Sequence, residues 1–240
     1  YYKKSADAGE LKSIYQYAYM CENGIGTSVD MKEACKYYKL AADRDEIKSL
    51  YKYAYMVDRG IGTPENKEEA LKYYKKSADA GELKSIYQYA CMCENGIGTP
   101  VNKEEASKYY KLAADKGDIE SLYKYAYMVD RGIGTKENKE EALKYYKKSA
   151  DAGELKSIYK YACMCENGIG TSANMDEACK YYKLAADRDE IKSLYKYACM
   201  VYEGIGTEEN KEEALKYYKK SADAGELKSI YQYAYMCENG

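Results

Sequence analysis

From Leu11 the apolar positions run Leu11, Ile14, Tyr17, Ala18 and Cys21, the spacing of three and four that one face of an α-helix produces. Gly24 follows, where a helix end wants a residue at ease in the left-handed conformation. The pattern predicts a helix, A, over 11–23. After Gly24-Ile25-Gly26-Thr27 comes Asp30 with Glu33 three residues on, an Asx N-cap with Glu at N3, close to a capping box. Apolar residues then recur at Ala34, Cys35, Tyr37, Tyr38, Leu40, Ala41 and Ala42, which predicts a second helix, B, ending near Asp43 to Asp45.

The same pattern returns every 36 residues. Units open on Tyr-Tyr at 1, 37, 73, 109, 145, 181 and 217, six complete and a seventh that stops at Gly240. The N-cap is Asp30, then Asn at 66, 102, 138, 174 and 210, and Glu stands at 33, 69, 105, 141, 177 and 213. Odd and even units differ (Lys-Lys-Ser-Ala-Asp at 3–7, Lys-Leu-Ala-Ala-Asp at 39–43), so the duplicated length is 72. All 18 glycines fall at the unit positions of Gly9, Gly24 and Gly26. Glu68 with Lys72 and Glu104 with Lys108 add i,i+4 support to helix B. A helix pair of this size cannot bury its apolar face alone and must stack on its neighbours. The fold expected is all-α, a solenoid of helix-turn-helix repeats forming one array over 1–240, cut within a unit at both ends as a piece of a longer array would be.

The residues Gly24-Ile-Gly-Thr, Asp30, Glu33-Ala34 and Tyr37-Tyr38-x-Leu-Ala-Ala, with Ser13, Tyr17-Ala18 and Cys21 upstream, resemble the Sel1-like repeat, a relative of the tetratricopeptide repeat. The likeness recurs in every unit. Departures are Tyr17-Ala18 where that family usually has Leu-Gly, Glu33 where it has Lys, and Cys21 or Val57 where it has Tyr. The resemblance implies a right-handed α/α superhelix and a non-catalytic scaffold or adaptor whose concave groove, lined by the A helices, takes a protein or an extended peptide. It also implies that unit positions 12, 15, 19, 22 and 23 touch the ligand, and a helical wheel places 12, 15, 16, 19, 22 and 23 opposite the buried arc.

Position 15 is Tyr15, Tyr51, Tyr87, Tyr123, Tyr159, Tyr195 and Tyr231, and position 19 includes Tyr19, Tyr55 and Tyr127. Lys48, Lys84, Lys156 and Lys192 flank this row, with Glu22, Asp58, Glu94, Asp130 and Glu166 expected along the other edge. Neighbouring A helices roughly 10 Å apart would hold successive rings beyond direct contact and leave a slot for one ligand side chain. Two readings stand: rings that pad the groove wall and also offer contact surface, or a ladder that reads a specific ligand. Unit six differs most, with Tyr202 and Glu203 in place of Asp-Arg, and is the first place to look for local specificity.

Composition narrows the chemistry. The chain has 33 Tyr and no Phe, Trp or His, which excludes Ser-His-Asp and Cys-His catalysis, His-ligated zinc and an imidazole pH switch. Candidate acids and serines recur in unit after unit, unlike an active site, so neither catalytic residue nor cofactor is expected; a weak hydrolase of the cysteine-rich Sel1-like type is the enzymatic alternative the resemblance offers. Gly24-Ile-Gly-Thr lacks a Walker lysine and follows a helix. Net charge is −2, which argues against nucleic acid as partner, with a repeat-based RNA module reading bases by tyrosine stacking as the alternative. Cys91-Met-Cys93 and Cys163-Met-Cys165 turn about 200° along a helix, so no metal site is expected, and the nine cysteines are read as reduced core residues. No run of about 18 apolar residues and no signal-peptide core occur, from which an intracellular, cytoplasmic protein is expected; the family includes adaptors that act at the endoplasmic reticulum.

Overall fold

The computed structural model describes residues 1–239, and its fourteen helices there are α1 (Tyr2–Asp7), α2 (Leu11–Asn23), α3 (Met31–Ala42), α4 (Ile47–Arg59), α5 (Lys67–Asp79), α6 (Leu83–Asn95), α7 (Lys103–Asp115), α8 (Ile119–Arg131), α9 (Lys139–Asp151), α10 (Leu155–Asn167), α11 (Met175–Ala186), α12 (Ile191–Glu203), α13 (Lys211–Asp223) and α14 (Leu227–Asn239). No strand occurs among the described residues. The chain forms two compact units, Tyr1–Asp118 and Ile119–Gly240. Within each, every helix packs on the one before and the one after it, so A helices (α2, α4, α6; α8, α10, α12, α14) alternate with B helices.

Local chemistry explains the boundaries. Gly24 ends α2 at φ 66°, and both its N–H and that of Ile25 donate to the Met20 carbonyl, closing the helix as a left-handed C-terminal glycine should. The Asp30 N–H then donates back to the Cys21 carbonyl at 2.9 Å, which ties the loop to helix A. Asp30 Oδ1 accepts the Glu33 N–H at 2.9 Å, and Asn66 accepts that of Glu69 at 3.0 Å. Only this half of a capping box forms, because the Glu33 side chain turns away to Lys3. Helix A carries a cap that the pattern did not announce: the Glu10 carboxylate accepts from the N–H groups of Lys12 and Ser13, and those bonds, Ser13 first, hold its pKa below the ordinary carboxylate value.

The core is small residues closed over by tyrosine. Ala18, Ala34, Ala41 and Ala42 are fully buried and let helix backbones approach, while Tyr38, Tyr74, Tyr110, Tyr146 and Tyr182 are the largest enclosed side chains. The 72-residue alternation reaches this core: Ser85 donates to Ser77 at 2.7 Å and Ser157 to Ser149 at 2.8 Å. Where Ala41 and Ala185 replace the second serine, the buried hydroxyls of Ser49 and Ser193 have no hydrogen-bond partner.

Repeats two and six also carry aspartate where the others have glycine. Asp45 and Asp189 sit at φ 59°, a region that disfavours residues with a Cβ by roughly 1–2 kcal/mol. The Lys76 ammonium 3.6 Å from Asp45 is a surface pair of little worth. Asp45→Gly together with Asp189→Gly is therefore expected to raise stability by about 1 kcal/mol, read as a higher thermal midpoint; a lower midpoint would mean that the aspartates do something else there.

Candidate functional site

The outward face of the A helices carries the tyrosine row. Six of the seven rings at position 15 are half-buried against the tyrosine of the following B helix, while Tyr231 is exposed: in the first unit Tyr15 on Tyr38 at 5.9 Å, Tyr51 on Tyr74 at 6.2 Å and Tyr87 on Tyr110 at 6.0 Å between centroids. The second unit repeats this with Tyr123 on Tyr146 at 6.1 Å, Tyr159 on Tyr182 at 6.0 Å and Tyr195 on Tyr218 at 6.2 Å. The slot expected between successive rings already has an occupant. Lys48 lies over Tyr15 at 6.0 Å, Lys84 over Tyr51 at 5.9 Å, Lys156 over Tyr123 and Lys192 over Tyr159 at 5.8 Å, within reach of a cation–π contact. Tyr and Lys thus alternate along the face. One turn on, Tyr55 packs beside Tyr51 at 6.3 Å and Tyr127 beside Tyr123 at 6.4 Å, and Arg59 and Arg131 lie over them at 5.1 and 5.9 Å. Tyr19 is exposed.

The acidic edge is spent inside the fold. Glu22 accepts the Tyr38 hydroxyl at 2.6 Å and the Lys52 ammonium at 2.7 Å, and Glu166 accepts Tyr182 at 2.6 Å and Lys196 at 2.7 Å. Burial, and then these carboxylates among other neighbours, push the Tyr38 and Tyr182 phenols above their ordinary range. Aspartate is one methylene shorter, and Asp58 and Asp130 pair instead with Lys67 at 3.0 Å and Lys139 at 2.9 Å, leaving the buried Tyr146 hydroxyl unpartnered. Tyr202 takes the acid's place in repeat six. Its ring meets Tyr218 edge-on at 6.5 Å, the Tyr218 hydroxyl goes to Cys199 Sγ at 3.3 Å, and a cavity of about 460 Å³ opens beside Tyr202, Lys211, Tyr235 and Met236.

A second network, on the B-helix side, escaped the sequence reading. Lys39 donates to Glu69 at 2.8 Å, to the Tyr53 hydroxyl at 3.1 Å and to the Tyr73 hydroxyl at 3.3 Å; Tyr53 donates to Glu69 at 2.7 Å, and Tyr73 to Asp43. Lys183, Glu213, Tyr197 and Tyr217 repeat it in the second unit, Tyr217 donating to Asp187. Hydrogen bonds from lysine first, then tyrosine, hold Glu69 and Glu213 below the usual carboxylate value, and the bond to Glu213 raises Lys183. Two family departures, Tyr at position 17 and Glu at position 33, are therefore the two ends of one bond. The signal was the co-occurrence of Lys, Asp, Tyr and Glu at positions 3, 7, 17 and 33 in every complete unit.

The cysteines divide by face. Cys21, Cys35, Cys93, Cys165 and Cys179 are buried, and burial lifts Cys35 and Cys179 to about 11. Cys91, Cys163 and Cys199 are half-exposed beside the tyrosine row, so the residues of each C-x-C pair do point apart. Among the described residues no cluster of three or more metal-ligating side chains occurs, and no helix is long and apolar enough to cross a membrane.

Comparison with curated proteins finds no match. Among solved structures the chain resembles a protective antigen of uropathogenic Escherichia coli displaying an SLR fold, with 25% identity and a TM-score of 0.79 over 100% of this chain and 51% of that one. The chain thus spans about half the length of that relative. A Sel1 repeat protein from Oxalobacter formigenes matches with 21% identity and a TM-score of 0.62, over 96% of this chain and 77% of that one. The Sel1 repeat family model matches 11–46, 47–82, 83–118, 119–154, 155–190 and 191–226, each span one A helix with the B helix that follows it. With six consecutive matches over helices that pack as such repeats do, the chain belongs to the Sel1 repeat family, whose members are generally scaffolds for protein–protein interaction.

Proposed function

We propose that the chain is a non-catalytic scaffold whose A-helix face binds an extended peptide segment of a partner protein. In the first unit the contacts are Tyr15, Tyr19, Tyr51, Tyr55 and Tyr87 with Lys48 and Lys84; in the second, Tyr123, Tyr127, Tyr159, Tyr195 and Tyr202 with Lys156 and Lys192. The observation that carries this reading is the state of the ring row. Each ring is fixed by a tyrosine beneath it, yet the hydroxyls of Tyr15, Tyr51 and Tyr123 make no hydrogen bond among the described residues. A rigid ring with an uncommitted hydroxyl costs little side-chain entropy on binding and accepts varied backbone groups. The interposed lysines supply apolar stems and mobile charge. A face that repeats its chemistry suits an extended ligand held by many modest contacts.

Peptides selected on the chain from a random dodecapeptide library are the probe. Tyr87→Ala, Tyr123→Ala and Tyr159→Ala combined are expected to weaken their binding at least tenfold, with the helical circular dichroism unchanged. Unchanged affinity would remove the rings from the site.

A further inference from the structure

One lysine on this face lacks the partner that its counterparts have. At position 16, Lys52 is bound by Glu22 at 2.7 Å and Lys196 by Glu166 at 2.7 Å, each carboxylate coming from the preceding A helix. Where the preceding acid is Asp58, already held by Lys67 at 3.0 Å, position 16 is the neutral Gln88. Asp130 is likewise held by its own lysine, Lys139, at 2.9 Å, but here position 16 is Lys160. Among the described residues no carboxylate pairs with Lys160.

Lys160 lines a cavity of about 480 Å³ with Asp130, Arg131, Glu137, Lys139 and Cys163, floored by Met164 and Ile169. Both carboxylates of that lining belong to Lys139, at 2.9 and 3.2 Å. Three cations against two acids leave a surplus of one positive charge. Arg131 has no ion pair among the described residues and lies over the face of Tyr127, at 5.9 Å. A half-buried ammonium and a guanidinium in one recess, beside rings of the ligand row, match a carboxylate better than any neutral group.

We propose that Lys160 and Arg131 form an anion seat that takes a glutamate or aspartate side chain of the bound peptide, so that the scaffold selects extended segments with an acidic residue at one fixed place. This rests on the peptide-binding reading above and adds the partner's chemistry to it.

Random dodecapeptide display on the whole chain and on Lys160→Gln tests it; Gln88 already occupies the equivalent position in the same fold, and circular dichroism checks that the variant folds. Peptides enriched on the wild type are expected to share an acidic position, and those enriched on the variant to lack it. In fluorescence anisotropy, changing that acid to its amide in the best peptide should weaken wild-type binding about tenfold and leave binding to Lys160→Gln unchanged. Asp130→Glu, long enough to reach Lys160 as Glu22 reaches Lys52, should compete internally and weaken the acidic peptide alone. An acid-to-amide ratio equal in wild type and Lys160→Gln, or enrichment of neutral sequences on the wild type, overturns the seat and leaves the peptide groove standing. No enrichment on either protein overturns both.

Discussion

Gly62→Ala is expected to destabilise the protein by about 3–5 kcal/mol, far more than Gly26→Ala at the same position of the repeat before it. The two glycines have almost the same backbone, φ 70° and 69°, so each substitution carries the same left-handed penalty of roughly 1–2 kcal/mol. Their surroundings differ. A Cβ on Gly62 would stand 2.0 Å from the Met31 carbonyl oxygen and 2.4 Å from its carbon, backbone atoms of the preceding B helix that cannot rotate away. At Gly26 the added Cβ would meet only the mobile end of Met20, at 3.5 Å. Gly98, Gly170 and Gly206 repeat the close approach, at 2.3, 2.3 and 2.2 Å from a carbonyl oxygen. The excess of Gly62→Ala over Gly26→Ala therefore measures how closely one repeat seats on the next. In a repeat protein that loss uncouples neighbours instead of lowering stability evenly, so hydrogen exchange should show α2 and α3 opening apart from α4 to α7. A difference below about 1 kcal/mol between the two variants, by chemical denaturation, would mean that the loop shifts freely and the glycine is not needed for stacking.

Gly26 also shows where sequence reasoning stops. The chain pattern assigns Gly24 to helix termination, which is sufficient there, and offers no separate reason for Gly26. The neighbour that requires Gly62 is a carbonyl 31 residues earlier, and a single-unit pattern contains no distances between units. The helix bounds, the buried arc of helix A and the exposed arc holding Tyr15 and Tyr19 were legible because they depend on a period of 3.6 and on capping chemistry, both local. The Lys48 ammonium over Tyr15, Lys52 on Glu22 and Lys39 on Glu69 were not, because a wheel gives the angle of a side chain about its own helix and not the register of the next one. Comparison with the family pattern marks Tyr17 and Glu33 as two separate departures, one in a core and one in a cap. They lie on different helices and make sense only once Lys3 of the preceding B helix joins them.

Glu69→Ala is expected to cost about 2 kcal/mol, because it strips the acceptor from two donors at once. Tyr53 is 4% exposed, and its hydroxyl gives its 2.7 Å bond to Glu69; a buried donor left without a partner costs roughly 1–3 kcal/mol. The Lys39–Glu69 pair adds less, since the lysine side chain is 42% exposed and solvent screens it. Glu69→Gln keeps an acceptor for Tyr53 and removes the charge, so it should cost about half as much. The charge has a pH signature with a definite sign. Folding lowers the Glu69 pKa from its ordinary 4.5 through the bonds from Lys39 and Tyr53, so the folded state binds its proton less readily than the unfolded one. That contribution is complete above the unfolded value and is lost as pH falls through the folded one. The wild type should therefore lead Glu69→Gln in thermal midpoint near pH 7 and lose that lead as pH falls below 4.5 and through the folded value, and Glu213→Gln should behave alike in the second unit, where Lys183 and Tyr197 hold Glu213 down. A lead that does not change with pH would show that the carboxylate acts only as a hydrogen-bond acceptor, and the lysines between the B helices would then be there for the faces of Tyr53 and Tyr197, 4.6 and 5.1 Å away, and not for the acid.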